Sequence, residues 1–308
     1  MHVRIGTRGS RLARWQAEWV AEELRRRKVE VELVPLATEG DRKDQGALAQ
    51  LGSIGIFTRE IQRAVLENRV DLAVHSLKDL PTAPTPGIHL AAVPLRGPCE
   101  DVLVTREKRV LVDLPRQSRI GTGSLRRGSQ ILYLRDDLQI VPIRGNVETR
   151  LQKLESGEYD GIVLARAGLL RLGLEQYVHQ IFETHEMIPA VGQAALGLEI
   201  RTEDIELQTC LNQIDHRPTH QAVLAERTLL NDLRGGCLAP IGGWAREVEK
   251  HCLQLDAVVL DPQGKKRLFQ SQSGPLGEAQ TIGKEVAEKL LADGAAALIN
   301  AAREPNIP

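Results

Sequence analysis

The sequence predicts an α/β chain of two parallel-sheet units followed by a smaller α+β unit, and three observations carry that prediction. Over residues 1–214, short β-branched runs alternate with amphipathic helical stripes, the pattern that buries parallel strands between helices. Glycine and proline punctuate the chain at Gly97-Pro98 and again from Gly192 to Gly197, where it is expected to cross into a second unit and back. After Pro218 the alternation stops, and a long helix is followed by alternating strands and a final helix, which reads as α+β.

Residues 2–6 read as the first strand, and Leu12, Trp15 and Trp19 give the next helix its apolar stripe. A strand at 29–36 follows, then the stripe Phe57, Ile61, Ala64 and Val65, then strands at 70–76 and 88–93. Together with the returning segment these make a first domain of residues 1–96 and 194–214. The second domain, 97–193, has strands at 101–105, 119–122, 138–143 and 160–165, with Val147, Leu151 and Leu154 turned inward on one helix. The third, 215–308, runs a helix toward Leu233, a Gly-Gly-Cys loop, and a strand through Leu253, Leu255, Ala257 and Val259. It then turns at Asp261-Pro262-Gln263-Gly264 into 267–273 and closes with a helix over about 278–292, ending near Gly294, and further helical character through Ala301.

Composition removes several function classes. Lys plus Arg number 40 against 41 Asp plus Glu, and aromatics are 3%, so the chain lacks the broad basic surface and stacking platforms of a nucleic-acid binder. No apolar run is long enough to span a bilayer, and Met1-His2-Val3-Arg4 lacks the apolar segment of a secretion signal; no membrane partner and a cytoplasmic location are the expectation. Cysteines at 99, 210, 237 and 252 show no CxxC spacing, which points to reduced thiols and no metal centre.

The chemistry concentrates at strand-to-helix junctions. Gly121-Thr122-Gly123-Ser124-Leu125-Arg126-Arg127 puts small residues where a strand becomes a helix and follows them with two guanidiniums. Free N–H groups at a helix start attract anions, Thr122 and Ser124 add hydroxyl donors, and arginine grips a carboxylate with paired hydrogen bonds. The plain alternative is two solvated arginines in a first helical turn, a place the helix dipole disfavours for cations. Arg8 and Ser10 stand at a second such junction, and Arg144, with Arg150 one turn into the next helix, at a third. Arginine-bearing loops at the carboxyl ends of strands call for a ligand with many negative groups.

Two more residues carry chemistry. Asp79 ends Val74-His75-Ser76-Leu77-Lys78-Asp79 beside Pro81; it reads as a turn residue or, among cationic loops, as a carboxylate that relays a proton and stabilises a developing cation. Cys237 lies in Arg234-Gly235-Gly236-Cys237, where flanking glycines and an arginine favour a thiolate acting as nucleophile or covalent tether. Spacing does not choose between those roles.

Taken in order, Arg4-Ile5-Gly6-Thr7-Arg8, Val74 through Pro81, Gly121 through Arg127, Arg144-Gly145-Asn146-Val147, Pro189-Ala190-Val191-Gly192-Gln193 and Gly235-Gly236-Cys237 closely resemble the porphobilinogen deaminase (hydroxymethylbilane synthase) family across nearly the whole chain. The resemblance implies two α/β domains similar to type II periplasmic binding proteins plus the α+β domain. It also implies a cytoplasmic, monomeric transferase of heme and tetrapyrrole biosynthesis. Such an enzyme joins four porphobilinogen molecules head-to-tail onto a dipyrromethane cofactor and releases hydroxymethylbilane by hydrolysis. Each pyrrole brings two carboxylates, the polyanion the arginines require.

By the same resemblance Cys237 holds the dipyrromethane through a thioether, and Asp79 is the catalytic carboxylate. Ser76, Lys78, Thr122, Ser124, Arg126 and Arg127 match cofactor-binding positions, and Arg8, Ser10, Arg144, Arg150 and Gln193 match positions for substrate and growing chain. Departures are Ile54 and Gln50, where the family commonly has lysines in a lid-like segment of about 40–56, the Gly97-Pro98-Cys99-Glu100-Asp101 stretch, and Ala194, where glycine is common. A solute-binding or ligand-sensing protein is the rival class; it would need an export signal and would leave Cys237 idle.

Overall fold

The computed structural model describes residues 1–36, 54–235 and 239–303. The chain divides into two compact units, residues 1–97 with 194–220, and residues 98–193 with 221–308.

In the first unit, β1 (His2–Arg8) is followed by α1 (Arg11–Arg25), β2 (Glu30–Leu36), α2 (Ile54–Leu66), β3 (Leu72–Ser76) and β4 (Ile88–Ala92). The chain returns later with β10 (Leu196–Arg201) and α6 (Ile205–Leu211). The sheet order is β2-β1-β3-β10-β4. β1 pairs in parallel with β2 and β3, and β10 runs antiparallel between β3 and β4. Val3, Ile5, Leu72 and Val74 pack on one face against Val20, Ala21 and Leu24. Ala73 and Val70 pack on the other with Ile61, Ala64 and Val65.

The second unit repeats that scheme with β5 (Asp101–Thr105), β6 (Arg119–Gly121), α3 (Leu125–Leu134), β7 (Gln139–Val141), α4 (Val147–Glu155), β8 (Gly161–Ala165), α5 (Arg166–Leu172) and β9 (Gln180–Ile181). Its order, β7-β6-β8-β5-β9, places the antiparallel strand β5 where β10 stands in the first sheet. The reversed strand is the one with which the chain returns to the first unit, β10, and the one with which it enters the second, β5, which is the type II binding-protein order. Alternation predicted parallel sheets, and in each of them one inserted strand runs antiparallel to its neighbours.

The same unit contains most of α7 (Arg217–Asp232) and a separate three-stranded antiparallel sheet of β11 (Ile241–Glu249), β12 (Cys252–Leu260) and β13 (Arg267–Pro275), backed by α8 (Ala279–Ala292) and α9 (Ala295–Ala301). Leu253, Leu255, Ala257 and Val259 point into one core with Ile282, Val286 and Leu290. This is the α+β domain that the alternating pattern predicted.

One expected helix face is different. In α1 the buried residues are Gln16, Ala17, Val20, Ala21 and Leu24, while Trp15 is exposed. The alanines let the helix lie close on the sheet, and the bulkier indole is left toward solvent. In α4, Leu151 and Leu154 are buried as expected. Cys99, Cys210 and Cys252 are free thiols. Among the described residues no helix is long and apolar enough to cross a membrane.

Candidate functional site

Every strand-to-helix junction singled out by the sequence is closed by a side-chain cap. Ser10 accepts a hydrogen bond from Ala13 N at 3.3 Å, Ser124 from Arg127 N at 3.4 Å, and Asn146 from Thr149 N at 2.8 Å. Capping satisfies the first orphan amides of each helix and fixes the loop ahead of it.

In the first unit, β3 ends at Ser76 and runs into a single 3₁₀ turn, Leu77–Asp79, held by Leu80 N donating to Leu77 O and by Leu77 N donating to Ala195 O. The turn leaves Asp79 exposed in a pocket lined also by Arg8, Ser10, Gln16, Thr58, His75 and Ser76. A carboxylate, a guanidinium and two hydroxyls thus share one depression. Gln16, 3% exposed, donates through Nε2 to Ser76 Oγ at 2.7 Å. Beneath them His75 Nε2 lies 3.1 Å from Glu199 Oε2, and Gln62 Nε2 donates to the same carboxylate.

In the second unit, β6 and β7 end side by side, with Thr122 N donating to Val141 O. Gly123 lets the two loops approach closely, since a Cβ there would come within 3.1 Å of Ile143 O. Gly145 turns the neighbouring loop at φ +110°. Arg144 emerges exposed beyond buried Ile143, and Arg150 Nε donates to Gly145 O at 2.8 Å.

Arg126 and Arg127 are neither solvated nor open on all sides. They are 4% and 7% exposed, and both donate to the fully buried carboxylate of Asp101. Arg126 Nη1 reaches Asp101 Oδ2 at 2.7 Å and Ile188 O at 2.9 Å. Arg127 gives Nε and Nη2 to Asp101 Oδ1 at 2.9 and 2.7 Å and Nη1 to Val163 O at 3.2 Å. Gln193, also fully buried, donates to Cys99 O at 2.7 Å and Asp101 Oδ1 at 3.0 Å. Burial pushes the Arg126 guanidinium pKa down, with Asp101 pulling it back; an arginine nonetheless keeps its proton.

This donor set suits a ligand that brings only acceptors. Ser76, Thr122 and Ser124 each accept a bond through the hydroxyl oxygen, leaving the hydroxyl proton to give. Arg126 Nε is buried without a partner. Cys237 and Gln50 lie outside the described residues, as does the Ile54 side chain.

Sequence reasoning did not single out Gln16, His75 or Asp101. Gln16 becomes visible once the alanine face of α1 is taken as the buried one. Asp101 carries a fainter signal, a carboxylate at the head of the apolar run Val102-Leu103-Val104.

Sheet order defines an α/β protein of the type II kind, with hydrogen-bond donors gathered at its strand-to-helix junctions. The description "Porphobilinogen deaminase, dipyromethane cofactor binding domain" matches residues 3–209, and "Porphobilinogen deaminase, C-terminal domain" matches 220–292. The porphobilinogen deaminase of Desulforudis audaxviator is 45% identical over 299 residues, 96% of each chain. That of Pelotomaculum thermopropionicum is 42% identical over 304 residues, 98% of this chain and 97% of the other. Likeness to solved structures is slight: the methionine-binding protein MetQ is 10% identical at a TM-score of 0.44, covering 69% of this chain and 88% of that one.

The chain belongs to the porphobilinogen deaminase family. It is an enzyme of tetrapyrrole synthesis that polymerises porphobilinogen, with dipyrromethane as its cofactor.

Proposed function

We propose that the two donor sets hold the carboxylates of an oligopyrrole while Asp79 manages the reacting end. Cys237 anchors the dipyrromethane as a thioether, and Ser76, Lys78, Thr122, Ser124, Arg126 and Arg127 take its carboxylates. When bound, the cofactor supplies the nucleophilic pyrrole carbon to which the first incoming ring is joined. Arg8, Ser10, Arg144, Arg150 and Gln193 serve the carboxylates of incoming porphobilinogen and of the lengthening chain.

Asp79 accepts hydrogen bonds from pyrrole N–H groups, holds the proton that moves as ammonia departs, and stabilises the cation left on the substrate. The same carboxylate serves each of four head-to-tail additions before water releases hydroxymethylbilane. The reading rests on one observation above the others: Asp79 shares its pocket with Arg8, Ser10 and Ser76, so an acid-base group stands among donors fit for a substrate acid. A monomer acting in the cytoplasm completes the proposal, on the strength of the family resemblance.

Intact mass tests the anchor. The purified chain should carry a two-pyrrole adduct that disappears in Cys237→Ala, and an unmodified parent from cofactor-competent cells would favour a non-catalytic binder.

A further inference from the structure

We infer that Asp101 is a positioning residue of the enzyme, the single buried carboxylate through which Arg126, Arg127 and Gln193 are aimed. The inference rests on the reading of those three as ligand-binding residues and adds to it a fourth that holds them.

The three come from separate parts of the chain. Arg126 and Arg127 open α3, Gln193 lies in the segment ahead of β10, and Asp101 begins β5. Asp101 Oδ2 accepts from Arg126, and Oδ1 accepts from Arg127 and from Gln193, all within 3.0 Å. A long flexible side chain in water must be ordered afresh whenever it grips a ligand; one already tied to a buried carboxylate has met that entropy cost in folding.

Charge supports the same conclusion. Among the described residues, two buried guanidiniums share this one carboxylate, one positive charge more than it balances. A purely structural cluster would be expected to balance its charges, because burying an uncompensated ion is costly. One charge left over, with Arg126 Nε buried and unpartnered, is what a site awaiting a carboxylate needs. Arg127 gives one hydrogen bond from each of Nε, Nη1 and Nη2 inside the protein, which braces Asp101 and leaves the second N–H of each Nη.

The test compares three variants of the full-length chain by intact mass, thermal unfolding and steady-state kinetics with porphobilinogen. Asp101→Asn should lose most of the two-pyrrole adduct. Asp101→Glu keeps the charge and should regain the adduct, yet raise KM about tenfold with a smaller change in kcat, the scale of one weakened charged hydrogen bond. The pair Asp101→Leu with Arg127→Leu removes matched charges and should fold at least as well as the parent, while still raising KM or lowering adduct. A double variant that folds normally, carries full adduct and keeps the parental KM overturns the inference. So does Asp101→Glu recovering no more adduct than Asp101→Asn while melting like the parent. A parent without any adduct would instead defeat the underlying functional reading and this inference with it.

Discussion

Ala194 sits at φ +69°, in the left-handed region where a Cβ crowds the backbone. Replacing it by glycine should stabilise the protein by about 0.5–1 kcal/mol, since glycine's extra freedom in the unfolded chain offsets part of the relief. Denaturant unfolding reads this directly, and a loss of stability would show the alanine is not strained. At Asp79 the expectation concerns rate: Asp79→Asn should lower ammonia release from porphobilinogen by about 10²–10⁴-fold, the usual worth of a positioned acid-base group. Undiminished release would remove Asp79 from the chemistry. Asp79, Arg8 and the paired arginines were legible because each stands in a local pattern of strand end, small residues and charge. Asp101 and Gln16 were not, because their importance comes from partners 25 and 60 residues away in sequence and no local pattern encodes such pairs.

Helix α4 shows how an element presents its neighbours. The Asn146 side chain caps it through Thr149 N and also accepts from Thr149 Oγ1, both at 2.8 Å. Asn146→Ala should cost about 1 kcal/mol of stability and raise KM, because Arg144 and Arg150 flank the cap; an unchanged KM would mean those arginines need no such support. In the first sheet Asp71 joins two strands. Arg4 on β1 donates N, Nε and Nη2 to it and Arg201 on β10 donates Nη2, at 2.9 to 3.0 Å. Burial alone would raise its pKa, but the bonds from Arg4 and then Arg201 outweigh that and hold it at about 2, below the ordinary 3.8. A depressed carboxylate pKa stabilises the fold above the unfolded value and stops doing so as pH falls through the folded one. That stabilisation is therefore present above about pH 4 and lost toward pH 2. The stability gap between the parent and Asp71→Asn should close across that window, and a gap independent of pH would contradict the assignment. Strands β9, β10 and β11 escaped the sequence reading for physical reasons. β9 is two residues long, β10 follows the glycine-bearing return segment, and β11 carries a Gly-Gly pair and three charged residues.

At the level of the molecule, the near-neutral total charge of −1 means the cationic character is a property of junctions, not of the surface as a whole. Fold class was legible because alternation and punctuation are global signals that survive local errors. The antiparallel strand in each sheet was invisible, because a strand's direction within a sheet is decided by connectivity and leaves no mark on its own residues. That connectivity sets a timetable for synthesis. All five strands of the second sheet lie between Asp101 and Ile181, so they are available together as soon as that stretch leaves the ribosome. The first sheet, though begun at the amino terminus, stays open between β3 and β4 until residues 196–201 arrive. Nascent chains arrested at successive lengths should therefore gain protease protection in the later-encoded sheet before the earlier one, the reverse of the usual amino-to-carboxyl order.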